Sequence, residues 1–363
     1  MTDLAVFLAT SGHSGVDRIM KNLIPAMAAK GIAMDILRLR DHGPYWESLP
    51  QGVRLIDLGA GHVNTSLPAL VGYLRKVRPK VLLTDKDRVN RAALWARKIA
   101  QVPTRVVVRI GTTVSENLAR RSWWARTSQR ISLRCFYPWA DGIIVPSRGA
   151  AEDLIRVSGL PGRKITVVPS PVIVPEMFQK AAEKAPHPWL ADNEIPVIIG
   201  VGELCARKDF ATLIQAFAQI RAKRLCRLII LGEGRQRSKL ESLICDLGLT
   251  DCVHLPGFVN PYPWLSRASV FVSSSRCEGL PVALIEALAL GVPSVAADCP
   301  SGPREILADG RYGPLVPVGD RQAMAQAIGT LLEEPVPLGV LQKAVQPYFL
   351  ENSLGAYSRV LGL

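Results

Sequence analysis

The pattern that most constrains this chain of 363 residues is a regular alternation of short apolar, β-branched runs with amphipathic helical stretches. Strands that alternate with helices favour parallel sheets joined by right-handed crossovers. The strands predicted in the first half are Leu4–Thr10, Met34–Leu39, Val53–Leu58, Val81–Thr84, Arg105–Ile110, Gly142–Pro146 and Ile165–Val168. The strands predicted in the second half are Val197–Val201, Leu228–Leu231, Val253–Leu255, Val270–Ser273, Ser294–Ala296 and Leu315–Val318.

The two series of strands predict two α/β domains, which suits the length of the chain. Residues 1–172 form the first, a Pro- and Lys-rich stretch at 173–195 is the linker, and 196–341 form the second. Residues 342–363 are predicted to be a C-terminal helix that crosses back to the first domain. Because open α/β sheets bind ligands at the carboxyl ends of their strands, we expect the site there.

Charge is distributed unevenly between the halves. The whole chain carries a net charge of +13, and residues 1–172 alone carry +14, from 26 basic and 12 acidic residues. Such asymmetry predicts that the first half faces something anionic, a membrane leaflet or a nucleic acid. No recognised nucleic-acid module accompanies the basic residues, so we expect no nucleic acid as a partner.

The composition of the chain indicates the cellular compartment of the protein. No apolar run reaches the roughly 18 residues of a membrane span, and the short run Leu4–Leu8, preceded by Asp3, predicts a first strand rather than a signal peptide. The seven cysteines are scattered without CxxC spacing, which predicts free thiols and neither a zinc site nor a disulfide framework. We therefore expect a cytoplasmic protein.

The junction between a predicted strand at 269–272 and the helix after it predicts an anion site. Pro281 suits the first helical position, and Gly279 lets a ligand approach the backbone. The N–H groups of Gly279, Leu280 and Val282 would point at an anion, an effect that the helix dipole reinforces.

Two carboxylates flank this predicted anion site. Glu278 stands at its mouth and Glu286 lies within the helix. An acid beside an anion site is a local conflict of the kind that functional sites show. We interpret the helix end as a diphosphate site and the two carboxylates as acceptors for sugar hydroxyls. The alternative is an ordinary strand–turn–helix crossover with one surface Glu and one amphipathic Glu.

A block of some fifty residues carries a family resemblance. Glu278 and Glu286, with Gly-Leu-Pro after the first, are followed by Gly291–Val295, Asp298–Leu307 and Leu315–Asp320. This block resembles the retaining glycosyltransferases of family 4, which have the GT-B fold, in the branch that builds bacterial surface polysaccharides and lipid-linked glycans. The resemblance implies two Rossmann-like domains that face each other across a cleft.

The resemblance also implies a reaction. It predicts an enzyme, a hexosyl- or N-acetylhexosaminyltransferase, that moves a sugar from a nucleotide-diphospho-sugar, most simply a UDP-sugar, to a lipid-linked or cell-surface glycan. The sequence has no DxD motif for a divalent metal, so we expect no metal and no cofactor. The resemblance implies that the leaving phosphate activates the acceptor hydroxyl on the same face of the sugar. No pair of side chains in the sequence forms an obvious double-displacement set.

The second domain opens with the sequence Gly200–Phe210, which resembles the family's diphosphate-binding signature. Lys208 is in place, Glu203 stands where an Arg is usual, and Arg207 is predicted to supply the missing charge. Lys208 and Arg207 would stabilise negative charge on the leaving diphosphate. By the same resemblance Gly202 belongs to the donor site.

Two further loops are predicted to reach the donor. Gly12 and Gly15 permit a tight turn into a helix, and the resemblance puts this loop near the donor phosphates and the acceptor. His13 in the same loop is predicted to be a polar loop residue rather than a base. The stretch Pro256–Val259 resembles the family's loop that holds the nucleobase, which implies that Phe258 lies beside the base. Alternatively, each of these two loops is an ordinary βα turn.

Arg109 ends a predicted strand of the first domain. In much of the family a histidine near this strand end contacts the donor sugar, and here Gly111 stands about at that position. Arg109 is either a ligand for an acceptor phosphate or a structural arginine.

A predicted helix near 119–137 combines cations with tryptophans. Arg126, Arg130 and Arg134 recur every four residues and form one ridge, and Trp123 and Trp124 precede them. Tryptophan beside arginine suits an anionic lipid surface, so we expect peripheral contact with the inner face of the cell membrane. The alternative is a solvated basic face with the tryptophans in the core.

Three other functions are compatible with the same residues. The chain could be a family member with a small-molecule acceptor, a nucleotide-sugar epimerase of the same fold, or a non-catalytic protein that binds anionic surfaces. Liposome sedimentation separates the first from a membrane enzyme, and sugar conversion without an acceptor identifies the second.

Overall fold

The computed structural model describes residues 2–10, 12, 14–119, 122–191 and 194–363, except for the side chains of residues 116, 117, 119 and 125. The chain divides into two compact units, residues 1–172 with 348–363 and residues 173–347. Each unit is built around one fully parallel sheet, so the predicted α/β class with two parallel-sheet domains is confirmed.

The first unit has a seven-stranded sheet in the order β3-β2-β1-β4-β5-β6-β7. Its strands are β1 Leu4–Phe7, β2 Met34–Arg38, β3 Val53–Asp57, β4 Val81–Asp85, β5 Arg105–Arg109, β6 Gly142–Val145 and β7 Ile165–Val167. Its helices are α1 Gly15–Ala29, α2 Leu67–Val77, α3 Asp87–Ala100, α4 Val114–Ala119, α5 Trp123–Phe136 and α6 Arg148–Ser158. Short 3₁₀ turns lie at Tyr137–Trp139 and Gly162–Lys164.

The second unit has a six-stranded sheet in the order β10-β9-β8-β11-β12-β13. Its strands are β8 Val197–Val201, β9 Arg227–Leu231, β10 Val253–Gly257, β11 Val270–Ser273, β12 Ser294–Ala297 and β13 Leu315–Val316. Its helices are α7 Pro175–Ala181, α8 Phe210–Arg221, α9 Arg237–Asp246, α10 Tyr262–Leu265, α11 Val282–Ala289, α12 Pro303–Ile306, α13 Arg321–Glu333 and α14 Leu338–Val345. Two 3₁₀ turns, Pro188–Leu190 and Gln346–Tyr348, complete the regular structure.

Apolar side chains cover both faces of each sheet, as parallel sheets require. In the first unit one cluster contains Phe7 and Val108 and the opposite cluster contains Leu4 and Val107. Residues 107 and 108 of one strand thus point to opposite faces. This double burial explains why the strands read as nearly continuous apolar runs.

The C-terminal helix α15, Leu350–Leu361, belongs to the first unit. Tyr357 and Leu361 are fully buried in the cluster that also contains Leu4 and Val107. Arg105 donates to the carbonyl of Leu361 at 2.9 Å. The stretch at 173–195, predicted to be a linker, carries α7 and belongs to the second unit, and residues 342–347 also lie there.

Candidate active site

The candidate site lies at the carboxyl edge of the second sheet, between β8 and β11. These two strands are neighbours, but the chain leaves β8 toward β9 and leaves β11 toward β12 on the other side. A parallel sheet opens a crevice at such a switch point, because successive connections diverge to opposite sides. The loops that begin after Val201 and Ser273 therefore converge there.

Three of the predicted site residues meet in this crevice. The ammonium of Lys208 lies 2.6 Å from Oε1 of Glu278, and the guanidinium of Arg207 lies 2.9 Å from Oε2. The hydroxyl of Ser275 donates to Oε1 at 2.7 Å. The side chain of Glu278 is 6% exposed, whereas Lys208 and Arg207 keep 15% and 30% of their surface open to solvent.

This cluster keeps the carboxylate charged. Burial opposes ionisation of Glu278, but Lys208 and Arg207 outweigh it, so that the pKa of Glu278 lies below its usual range. Burial likewise opposes the charge of Arg207, and Glu278 outweighs that effect and raises the pKa of the guanidinium. Within this cluster two cations therefore share one carboxylate.

The loops that carry the cluster are tied to each other. The N–H of Arg276 donates to the carbonyl of Arg207 at 2.8 Å, and the hydroxyl of Ser274 donates to the carbonyl of Lys208 at 2.8 Å. The guanidinium of Arg276 also pairs with Asp209 at 2.9 Å. These bonds fix the cations relative to the carboxylate before any ligand binds.

The turn after Glu278 is held by the loop that follows β12. The hydroxyl of Ser301 donates to the carbonyl of Glu278 at 2.9 Å. Gly302 has φ +90°, and a Cβ there would lie 2.6 Å from Cδ of Pro281, so only glycine fits. Pro281 itself is the N-cap of α11, one residue earlier than its predicted place inside the helix. Gly279 is buried and Leu280 is half-buried in this turn.

Glycines elsewhere in the crevice let backbones touch. A Cβ on Gly202 would lie 2.8 Å from Cε of Lys208, so this glycine makes room for the lysine stem. A Cβ on Gly232 would lie 1.9 Å from the carbonyl oxygen of Gly202. The Gly-Glu-Gly stretch after β9 therefore serves the packing of neighbouring loops. Glu203 is exposed beside Gly202.

The second predicted carboxylate, Glu286, lies just over one turn into α11 and is 1% exposed. The hydroxyl of Tyr262 donates to its Oε1 at 3.1 Å. Sequence reasoning missed Tyr262 and Ser275, because neither residue type is distinctive and their contacts depend on loop geometry. Phe258 follows the edge strand β10, is 70% exposed and is not part of the Glu278 cluster.

The glycine loop of the first unit leads into α1, which begins at Gly15. Asp17 in the first turn accepts from the N–H of Ser14 at 2.7 Å and from the hydroxyl of Thr10, so it serves as a helix cap. The ring of Tyr45 occupies the space where a Cβ of Gly12 would lie. Ser11 and His13 lie outside the described residues.

Arg109 is enclosed, which corrects its prediction as a phosphate ligand. Its guanidinium donates to Asp85, to the hydroxyl of Tyr357 at 3.0 Å and to the hydroxyl of Ser170 at 2.9 Å. Arg109 is 1% exposed. Burial alone would lower the pKa of Arg109, but Tyr357 and Asp85 outweigh it and raise the pKa. An acceptor phosphate could not reach this group, so the alternative of a structural arginine fits the structure.

The basic and aromatic residues of α5 lie at the surface. Arg126, Arg130 and Arg134 are all exposed, and Trp123 and Trp124 are 64% and 77% exposed. The alternative with both tryptophans in the core is therefore wrong. On α3, the 42% exposed Trp95 packs against Phe136 and Trp139, with ring centroids 5.6 and 5.5 Å apart.

All seven cysteines are free thiols. Across the described ranges, His, Cys, Asp and Glu side chains form no group of three or more that could hold a metal ion. Every described helix is too short or too polar to cross a membrane.

Residues 195–334 match the family described as "Glycosyl transferases group 1", and residues 14–171 match the family described as "Glycosyl transferase 4-like domain". The chain belongs to the group 1 glycosyltransferases. It is an enzyme of this family, so the epimerase and the non-catalytic binding protein are set aside.

Curated relatives of this glycosyltransferase include an enzyme of Campylobacter jejuni named N-acetylgalactosamine-N,N'-diacetylbacillosaminyl-diphospho-undecaprenol 4-alpha-N-acetylgalactosaminyltransferase. The two are 29% identical over 345 residues, which cover 92% of this chain and 91% of that protein. The lipopolysaccharide core biosynthesis glycosyltransferase LpsE of Rhizobium meliloti is 34% identical over 167 residues, 46% of this chain and 47% of that protein.

Solved structures give the same fold for the glycosyltransferase. The lipopolysaccharide outer core galactosyltransferase WaaB superposes with a TM-score of 0.77 at 18% identity, over 100% of this chain and 99% of that one. HepE from Anabaena, in complex with UDP, superposes with a TM-score of 0.78 at 18% identity over 100% of both chains. The predicted GT-B fold is confirmed.

Proposed function

We propose that this glycosyltransferase moves a sugar from a UDP-sugar to a lipid-linked glycan, with retention of configuration at the sugar and without a metal. The observation that carries the proposal is the cluster of Lys208 and Arg207 around Glu278 at the switch point of the second sheet. The UDP bound to the similar protein HepE supports the choice of nucleotide.

The cations suit the largest electrostatic need of the reaction. As the bond to the sugar breaks, negative charge develops on the leaving diphosphate, and fixed positive groups lower the barrier. Lys208 and Arg207 are partly open to solvent, and loop contacts hold their backbone, so their side chains can turn from Glu278 to the diphosphate without a rearrangement of the loop. The N-terminus of α11, an eight-residue helix that starts after Pro281, adds partial positive charge.

Glu278 suits a hydrogen-bonding role. In the described structure its carboxylate accepts from Lys208, Arg207 and Ser275. When the diphosphate takes over the two cations, the carboxylate can accept from sugar hydroxyls while Ser275 still holds it in place. A carboxylate held in this way is poorly suited to attack the sugar, which supports transfer on one face with the leaving phosphate as base.

The acceptor assignment rests on the first unit and on a relative. The Campylobacter jejuni protein is named for a diphospho-undecaprenol acceptor. Residues 1–172 carry the whole positive excess of the chain, and α5 exposes tryptophans beside arginines. Interfacial tryptophan and cations near anionic headgroups favour binding to the surface of a membrane. We therefore propose that the enzyme works at the inner face of the cell membrane, where a lipid-linked glycan would be presented.

The test of the transfer site compares K208A and E278A with K239A. Lys239 is an exposed lysine of the same unit, on α9, and serves as the matched control. We expect K208A and E278A to abolish transfer from whichever UDP-sugar of a panel the native enzyme uses, with the fold intact by circular dichroism, and K239A to be fully active. Binding of UDP is measured separately, as thermal stabilisation by saturating UDP. Full activity in K208A or E278A would refute the site.

The test of the membrane assignment is sedimentation with phosphatidylglycerol-rich liposomes. The variant W123S/W124S should lose most of its binding, and the remaining binding should fall as salt rises. The matched control F178S/L225S removes two apolar residues of the second unit that are 42% and 55% exposed, and it should bind like the native protein. If the native enzyme does not sediment, the alternative of a small-molecule acceptor replaces the lipid-linked one.

A further inference from the structure

The loop after β12 contains a serine in a backbone conformation that favours glycine. Ser301 has φ +69°, in the left-handed region. Residues with a Cβ avoid this region because the Cβ approaches the following carbonyl oxygen, and serine is not among the residues that tolerate it best. The chain therefore keeps a side chain at position 301 at a conformational cost.

The side chain of Ser301 contacts the turn that carries the Glu278 cluster. Its hydroxyl donates to the carbonyl oxygen of Glu278 at 2.9 Å. Because β11 and β12 are neighbours in the sheet, this bond joins the loops that follow two adjacent strands. Ser301 is half-buried there. Glycine at position 301 would remove the strain, but it would also lose this bond.

The bond sets the plane of the peptide between Glu278 and Gly279. In a planar trans peptide the carbonyl and the following N–H point in opposite directions, so holding the carbonyl of Glu278 also sets the direction of the N–H of Gly279. A peptide that precedes glycine rotates at little steric cost, because glycine has no Cβ to clash in the other orientation. The turn therefore benefits from a restraint outside itself, and the hydroxyl of Ser301 supplies one.

Glu278 is thus anchored at two separate points. Its carboxylate accepts from Lys208, Arg207 and Ser275. Its carbonyl accepts from Ser301. The first anchor positions the side chain, and the second positions the backbone that follows it.

We propose that Ser301 is a positioning residue for sugar transfer, whose hydroxyl holds the N–H of Gly279 toward the diphosphate of the donor. This inference rests on the proposed function, which assigns that diphosphate to Lys208 and Arg207. Negative charge on the diphosphate grows as its bond to the sugar breaks, so a fixed N–H donor stabilises the transition state more than the bound donor. An N–H that can rotate away loses this advantage, which explains why a strained serine stands where glycine would relieve the backbone.

The experiment compares three variants of Ser301 in the full-length enzyme. S301A removes the hydroxyl and keeps the strain, and S301G removes both. S301T keeps the hydroxyl but adds a β-branched side chain, which the left-handed region disfavours further. The matched control is A308G, because Ala308 of the same unit has φ +46° and no polar side-chain atom. A308G relieves left-handed strain without removing a side-chain hydrogen bond.

We expect stability and turnover to follow different orders across this series. S301G should melt about 2 °C above S301A because the strain is relieved, and S301T should melt below the native enzyme. S301A and S301G should both lower kcat about tenfold with KM for the UDP-sugar nearly unchanged, as a misaligned donor to developing charge predicts. S301T should keep native turnover despite its lower melting temperature, and A308G should be fully active.

Two kinetic results would contradict this role. Native turnover in S301A and S301G would overturn the proposal outright. Turnover that follows the melting temperature across the series would also overturn it, because a serine that only supports the fold predicts that order.

Binding of UDP gives a readout that needs no acceptor. The terminal phosphate of UDP carries the charge that develops during transfer, so S301A should weaken UDP binding about fivefold. The same loss should appear in the E278Q background, since the proposed route runs through the N–H of Gly279 and not through the carboxylate. A loss that vanishes in E278Q would assign the effect to the carboxylate and overturn the proposal.

Failure of the proposed function has a different signature from failure of this inference. If UDP does not stabilise the native enzyme against heat, both proposals are overturned. If UDP stabilises the native enzyme and S301A equally, with equal turnover, only the role of Ser301 is overturned.

Discussion

Each unit contains an ion cluster at the carboxyl edge of its sheet, and the two clusters differ in their exposure to solvent. In the first unit Arg109 at the end of β5 pairs with Asp85 at the end of the neighbouring β4. In the second unit Lys208 and Arg207 follow β8 and pair with Glu278, which follows the neighbouring β11. Each cluster joins cation and carboxylate across adjacent strands at the carboxyl edge of a parallel sheet.

The difference between them is access. Both side chains of the Arg109–Asp85 pair are 2% exposed, whereas the cations of the second cluster keep 15% and 30% of their surface. Tyr357 of α15 and Ser170 complete the hydrogen bonds of Arg109. The first pair is therefore fully satisfied from inside the protein and holds the C-terminal helix, whereas the second pair can exchange partners with a ligand.

The largest expected effect comes from breaking the enclosed Arg109–Asp85 pair. R109L leaves Asp85 as an unpaired buried carboxylate, which should destabilise the first unit by about 3–5 kcal/mol. Urea unfolding should show this loss, with the transition of the second unit unchanged. D85L/R109L removes both charges and should recover most of the stability. If R109L unfolds like the native protein, Arg109 is not structural.

Neutralising the carboxylate of the open cluster should lower activity and leave stability almost unchanged. E278Q should lower sugar transfer by about 100-fold, or about 2.7 kcal/mol in the barrier. Thermal stability should hardly change, and UDP should bind more tightly, because Lys208 and Arg207 no longer share their charge with a carboxylate. E233Q alters the 50% exposed Glu233 of a surface ion pair and is the matched control for all three measurements. Weaker UDP binding in E278Q would contradict the view that the carboxylate competes with the diphosphate.

The fold was largely predictable from the sequence. Every predicted strand is present, because buried parallel strands are short apolar runs whose length and flanking turns are distinctive. The predicted Lys208, Arg207 and Glu278 meet, although nothing in their spacing required the cations to pair with the carboxylate. Local motifs predict which loops converge, but the hydrogen bonds between the loops determine which side chains pair.

The role of Arg109 could not be predicted from local sequence. Whether an arginine at a strand end binds a ligand or supports the fold depends on what covers it, and the cover here is Tyr357, 248 residues further along the chain. Long-range packing, which periodicity does not encode, decided the role of Arg109.

A smaller effect tests how the second unit positions its buried carboxylate. Y262F removes the hydroxyl that donates to Glu286 and should weaken binding of the UDP-sugar about fivefold, or about 1 kcal/mol. Y312F, at a tyrosine of the same unit, is the control and should bind normally. The effects of Y262F and E286Q should not add, since the tyrosine acts through the carboxylate. Additive losses would show that Tyr262 acts independently of Glu286.

The smallest expected effect is a pH dependence of stability that is confined to the second unit. The rings of His187 and His254 are tilted against each other with centroids 4.7 Å apart in the second unit, near Trp189 and Trp264. Burial lowers the pKa of both, and for His187 the neighbouring His254 and Arg227, and for His254 Arg237, add to the effect.

Because both pKa values are depressed on folding, the unfolded chain binds more protons below its own pKa of about 6.5. The contribution of this pair is therefore present above that pH and is lost as the pH falls through the folded pKa values. Urea unfolding between pH 7.5 and 5 should show a falling midpoint for the second unit, and H187F/H254F should flatten that dependence while R109L does not. If H187F/H254F leaves the pH dependence of the urea midpoint unchanged, carboxylates and not these histidines cause the acid sensitivity.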